Sequence, residues 1–137
     1  MNKKYLNKKD INKVIQFWKL TWVYYAPEDR EDVLDRLIDF DNEAIHIIEK
    51  DGKIVASAVI VYNPFQSYIY RFSVHPDCRW KWLWKELSDF VETTLKEKSM
   101  FNPTIFVEEE NIDALKFWKK IWWERLYSVH CLVKNLK

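Results

Sequence analysis

The spacing of apolar residues changes character several times along this chain. After a Lys-rich start with a weak strand signal over residues 4–6, Ile11, Val14, Ile15, Trp18 and Leu20 recur at helical intervals behind Asp10, which is placed to cap a helix. Residues 21–26 read as an aromatic loop, and Pro27 suits the first turn of a second helix carrying Val33, Leu34, Leu37 and Ile38. From Ala44 the pattern turns to β-branched runs. Residues 44–49 and 53–62 are two strands separated by Lys50-Asp51-Gly52, where Asp-Gly suits the positive-φ positions of a hairpin turn. Asn63-Pro64-Phe65-Gln66 turns the chain into a third strand, 68–74, which completes an antiparallel meander and stops at Pro76. Leu83, Leu87, Phe90, Val91 and Leu95 then return to helical spacing, predicting a helix from about Trp80 to Lys98. A strand over 104–108 follows. Asn111 caps a last amphipathic helix with Ala114, Leu115, Phe117, Trp118 and Ile121, and residues 124–133 read as a closing strand. With no repeat or linker, this predicts a single α+β domain over residues 1–137.

Composition narrows the function classes. The 137 residues are 48% apolar and 31% charged, as in a globular protein with a substantial core. Lys plus Arg number 22 against 21 acidic residues, so the net charge of +1 argues for neither nucleic acid nor an anionic membrane as partner. Cys78 and Cys131 stand far apart with no CxxC, which predicts reduced thiols and a cytoplasmic location rather than a metal site or disulfide framework. One count is abnormal: the chain holds a single glycine, Gly52, where average usage of roughly 7% predicts about ten, and it holds eight tryptophans.

Chemistry concentrates where the strand 68–74 passes through a tight loop into the third helix. The stretch Arg79-Trp80-Lys81-Trp82-Leu83-Trp84 is the mouth of a helix N-terminus, whose open N–H groups and dipole favour phosphate. Alternating basic and tryptophan residues also suggest a stacking platform for single-stranded nucleic acid or a membrane-interface segment. On a helix, however, Trp80 and Trp84 share a face and Trp82 points elsewhere, so no single stacking surface forms.

This stretch resembles the pyrophosphate-binding motif of the GNAT superfamily of N-acetyltransferases, in which Arg or Gln, two residues, Gly, any residue, then Gly or Ala open a helix after the fourth strand. Arg79 matches the first position, while Trp82 and Trp84 stand at the small ones. The run from Asn111 through Ala114, Phe117 and Trp118 to Trp122 and Trp123 is similar to a second GNAT pattern, again with Trp122 in a glycine slot. The order of elements fits as well, so the resemblance covers most of the chain.

The resemblance implies a three-layer α+β fold: a mixed, mostly antiparallel sheet with helices on both faces, and strands 68–74 and 104–108 parallel and splayed at their ends. It implies acetyl-coenzyme A as acyl donor and a small-molecule or peptide amine as acceptor, reacting by direct attack. Backbone groups of Phe72, Ser73 and Val74 would hold the thioester and pantetheine, and the amides of Trp80, Lys81, Trp82, Leu83 and Trp84 the pyrophosphate, with charge from Arg79 and Lys81. Asn111 would meet the pantetheine arm or cap its helix. Glu108 and Glu109, at the end of the fifth strand, are the candidate bases for the amine. Trp118 stands where a tyrosine commonly protonates the leaving thiolate, and indole cannot do so; Tyr24, Tyr25 and Tyr127 are substitutes by type only. His75 reads as exposed, and His46 and His130 as strand residues with no partner. No metal, nucleic acid or membrane is expected, a homodimer is left open, and a non-catalytic interaction domain of the same fold is the competing class.

Five of the eight tryptophans fall where such a fold wants glycine: Trp22, Trp80, Trp82, Trp84 and Trp122. At Trp82 and Trp84 an indole would occupy the anion's space, which predicts impaired cofactor binding, and at Trp122 a helix end asks for a left-handed residue. Trp18, Trp118 and Trp123 sit at ordinary aromatic core positions.

Overall fold

The computed structural model describes residues 1–21, 30–78 and 81–137, with the backbone alone of Lys81. The chain divides into two compact units, Met1–Ile105 and Phe106–Lys137.

The first unit is a five-stranded sheet in sequence order, β1 (Asn2–Tyr5), β2 (Ile45–Lys50), β3 (Lys53–Tyr62), β4 (Ser67–Val74) and β5 (Thr104–Ile105). β1 to β4 are antiparallel neighbours, and β5 joins β4 in parallel. Helices cover both faces. On one side α1 (Ile11–Leu20) and α2 (Glu31–Phe40) set Val14, Trp18, Leu34 and Ile38 against Ile45, Ile47 and Val59. On the other, α3 (Lys81–Glu97) packs on β2 and β3 through Leu83, Leu87, Val91 and Leu95, all essentially inaccessible to solvent. Cover on both faces explains why Ile45-His46-Ile47-Ile48 is a continuous buried run with no alternation. The hairpin turn forms as its residues dictate, with Asp51 at φ 52° and Gly52 at φ 76°.

The sheet differs from expectation at its margins. β1 begins at Asn2 and ends at Tyr5, one step before Leu6, whose N–H still bonds the Ile45 carbonyl at 2.8 Å. Asp10 stands at the start of α1 but makes no side-chain cap; its carboxylate lies 3.3 Å from Lys13 Nζ instead. α2 starts at Glu31, and Pro27 lies outside the described residues. The fifth strand, expected over 104–108, ends at Ile105 after two ladder positions, Tyr68–Thr104 and Ile69–Ile105, while β4 continues to Val74. The parallel pairing is present and short.

The second unit contains α4 (Ile112–Lys120), capped by Asn111, whose Oδ1 accepts the Ala114 N–H at 3.1 Å. The expected strand over 124–133 does not form, and His130 is therefore not a strand residue; residues 124–137 are irregular and exposed. Their apolar residues include Leu126, Tyr127, Val129, Leu132 and Val133, which carry strand propensity. Propensity does not supply the ladder hydrogen bonds that define a strand.

Candidate functional site

The site is assembled on β4 and its continuation. β4 carries a bulge: Ser57 pairs with Ser73 and Val59 with Tyr70, so Arg71 and Phe72 together face Ala58. Arg71 takes φ 53°, the left-handed conformation of a bulge's first residue. Nothing in the sequence signals this, because the bulge residue is arginine rather than glycine or asparagine. The bulge bends the strand just before Phe72, Ser73 and Val74, the positions expected to meet a thioester. Ser73 Oγ turns back to the Arg71 carbonyl at 3.4 Å, and the Phe72 ring lies 6.2 Å from that of Trp84.

Two contacts fix the end of α1 against this strand region. Trp18 Nε1 donates to Ser57 Oγ at 3.3 Å, opposite Ser73, and the Phe17 ring lies 6.4 Å from that of His75. Thr21 Oγ1 returns to the Trp18 carbonyl at 3.2 Å and closes the helix. Trp22, Tyr24 and Tyr25, in the aromatic loop beyond, lie outside the described residues.

Past Val74 the pairing continues for one bond, His75 N–H to the Val55 carbonyl at 2.8 Å, and the chain then enters a tight turn over Pro76–Cys78. His75 Nδ1 accepts the Asp77 N–H at 3.1 Å, which leaves the proton of the neutral ring on Nε2. The ring is partly buried, with a side-chain accessibility of 25%, rather than exposed as expected. Arg79 and Trp80 lie outside the described residues. Lys81, Trp82, Leu83 and Trp84 open α3 as expected, with Leu83 fully buried and anchoring the helix start, and Trp82 half exposed. A helix N-terminus in general presents backbone N–H groups and a dipole that suit a phosphate.

In the second unit, Glu108 and Glu109 are exposed and precede α4, outside any strand. Asn111 is a helix cap by direct observation. Trp118 is buried, with ring contacts to Phe117 at 5.1 Å and Trp123 at 5.0 Å, so it acts as a packing residue; Tyr127 is exposed. The helix ends as expected at Trp122, which adopts φ 75°. The Trp123 N–H bonds the Trp118 carbonyl at 2.9 Å and the Trp122 N–H the Lys119 carbonyl at 3.1 Å, the paired bonds of a Schellman motif.

A separate polar cluster lies between β1, β2 and α3. His46, expected to lack a partner, is fully buried, with Nε2 2.8 Å from Thr94 Oγ1, and the Tyr5 hydroxyl lies 3.1 Å from the same oxygen. Burial holds the His46 imidazole neutral and lowers its pKa to about 4. Beside it Lys98 pairs with Glu43 at 2.8 Å, which raises the lysine's pKa and lowers the glutamate's. His46 Nε2, Tyr5, Thr94, Lys98 and Glu43 each have a partner within the cluster, while the buried His46 Nδ1 has none. Among the described residues no group of His, Cys, Asp or Glu could hold a metal ion, and no helix is long and apolar enough to cross a membrane.

Comparison with known proteins agrees with this fold. Residues 13–122 match the acetyltransferase (GNAT) family. An acetyltransferase of Yersinia pestis (strain Pestoides F) is 26% identical over 115 residues, covering 84% of this chain and 82% of the relative. The PaiA N-acetyltransferase of Thermoplasma acidophilum in complex with coenzyme A superposes with a TM-score of 0.75 at 16% identity, over 88% of this chain and 87% of that one. A predicted acetyltransferase of Clostridium acetobutylicum with acetyl-CoA gives 0.76 at 17% identity, over 96% and 95%. At these identities the structural likeness is one of fold.

Proposed function

The chain belongs to the acetyltransferase (GNAT) family, whose members take their acyl group from acetyl-coenzyme A, and from that premise we propose that residues 1–137 form one domain that acetylates a primary amine by direct attack in a ternary complex. The observation that carries the reading is the run of bulged β4, tight turn and α3 start, held in place by fully buried Leu83. Acetyl-coenzyme A supplies an acetyl group activated as a thioester. The donor set fits such a ligand in kind: main-chain groups of Phe72, Ser73 and Val74 at and after the bulge, then helix N-terminal amides from Lys81 to Trp84, in a stretch whose sequence also supplies the basic residues Arg79 and Lys81. The indole of Trp82 on the first turn works against close approach of an anion, and affinity in this chain is correspondingly low.

The amine nitrogen bonds the thioester carbonyl carbon, the carbon–sulfur bond breaks, and the sulfur leaves as a thiolate. The amine must lose a proton, and Glu108 or Glu109 takes it, directly or through one water. Asn111 fixes the first turn of α4. Trp118 stands at the motif position where the family commonly has a tyrosine that protonates the thiolate; an indole N–H does not do so, and the thiolate takes its proton from solvent. The acceptor is a small molecule or a peptide amine, the location is cytoplasmic, and neither nucleic acid nor membrane takes part.

Release of free coenzyme A thiol, measured over a panel of primary amines with product masses read in parallel, tests this. Amine-dependent thiol release with a matching N-acetylated product is the expected result. Binding of acetyl-coenzyme A with no amine-dependent release would reassign the chain as a non-catalytic binding domain of the same family.

A further inference from the structure

Among the described residues four that are not glycine have positive φ: Asp51, Arg71, Ser99 and Trp122. Three of them have a local reason. Asp51 belongs to an Asp-Gly hairpin turn, Arg71 opens a strand bulge, and Ser99 is a small residue at the end of α3, where the Met100 N–H reaches the Leu95 carbonyl at 2.9 Å. Trp122 has none. Its backbone completes the same kind of helix end, at φ 75°, with its side chain 91% exposed. A bulky residue there strains the backbone and gains almost no burial in return.

The tryptophans sort into two kinds. Trp18 is 2% exposed with its N–H bonded to Ser57, Trp118 is 5% exposed, and Trp123 packs edge-on against Trp118. These three use the indole. The others cluster at element junctions. Position 22 directly follows Thr21, the C-cap of α1, as position 122 follows Ile121, the C-cap of α4. Position 80 directly precedes α3, and Trp82 and Trp84 flank the anchoring Leu83 at its start, with Trp82 half exposed and Trp84 joining the group by position beside Phe72. The position after a helix C-cap is a glycine position by backbone chemistry alone, and a helix mouth that takes a phosphate, as in the proposed function, asks for small residues so that the backbone can approach it. The chain has one glycine to serve them all.

We infer that Trp22, Trp80, Trp82, Trp84 and Trp122 stand at UGA codons that the protein's own cells read as glycine, so that the native chain carries a glycine-lined helix mouth and a glycine directly after the C-cap of both α1 and α4. Random substitution would scatter tryptophan over the surface and interior; decoding of one codon places it wherever glycine was. The inference is independent of catalysis, since it concerns which residues are present, and it holds or fails whatever the acceptor amine is.

Peptide sequencing by mass spectrometry of the protein isolated from its own cells, with the coding DNA read alongside, tests it. The expected result is glycine with UGA at 22, 80, 82, 84 and 122, and tryptophan with UGG at 18, 118 and 123. Tryptophan in the native protein at any of the first five positions, or glycine at any of the last three, overturns it.

Discussion

Replacing Trp122 with glycine should stabilise the chain. In the left-handed region a Cβ costs on the order of 1–2 kcal/mol, and Trp122 carries one at φ 75°. Against this, only the small buried remnant of a side chain 91% exposed is lost, worth about 0.5 kcal/mol at roughly 25 cal/mol per Å². Glycine also raises the entropy of the unfolded chain, which offsets part of the gain by about 0.5 kcal/mol. The balance is a gain centred near 0.5 kcal/mol and at most about 1 kcal/mol, or a rise in Tm of roughly 2 °C if α4 unfolds with the rest of the chain. Thermal unfolding followed by circular dichroism reads it, and hydrogen exchange at the Trp123 amide, which bonds the Trp118 carbonyl, reads the helix end directly. Trp122→Ala keeps the Cβ and is the decisive control. It should stay within about 0.5 kcal/mol of the parent, with Trp122→Asn between the two. If alanine stabilises as much as glycine, the indole's bulk rather than the backbone is at fault; if glycine has no effect, the left-handed cap is not a source of strain.

Three further outcomes are expected. Restoring glycine at 80, 82 and 84 together should tighten acetyl-coenzyme A binding at least about tenfold, equivalent to roughly 1.4 kcal/mol, by calorimetric titration; equal affinities would show that the helix mouth accommodates indoles. His46 is neutral in the folded protein down to about pH 4 and ordinary in the unfolded chain, so between pH 6.5 and 4 the unfolded state binds the extra proton. Stability should therefore fall as pH drops through that window, by on the order of 3 kcal/mol in full, and urea midpoints of His46→Gln should lose most of this slope; an unchanged slope would place the titration elsewhere. Glu108→Gln combined with Glu109→Gln should lower kcat/KM for the amine by about a hundredfold with acetyl-coenzyme A affinity unchanged, and undiminished turnover would remove both as bases.

Local chemistry was readable from the residues, and pairing across distance was not. Asp51-Gly52 marks a turn because few other pairs take those angles, Asn111 marks a helix start because its side chain can bond the Ala114 N–H, and the end of α4 follows from where its apolar stripe stops. Each is settled within a few residues. The bulge at Arg71 depends on how β4 meets β3, and β5 stops at Ile105 although its sequence continues as a strand would. Residues 124–133 show the same gap, with strand propensity and no ladder. The partner of His46 is Thr94, distant in sequence and brought to it by α3 crossing the sheet. Asp10 illustrates a smaller failure: a capping residue at the right place found a salt bridge with Lys13 instead.

The bulge in β4 also changes parity. Side chains along a strand alternate between faces, so a straight count from Tyr70, which packs with the α1 and α2 core, assigns Phe72 and Val74 to that same side. The odd residue inserted at Arg71 reverses the count: Phe72 meets Trp84 of α3, while Ser73 lies opposite Ser57, the partner of Trp18 on α1. Deleting a single residue between Tyr70 and Ser73 would restore an even ladder and leave the composition of the strand almost untouched. It would also keep Ser73 opposite Ser57, whereas abolishing the bulge with every residue in place would exchange the two sides downstream to Val74, turning toward α1 what now faces α3.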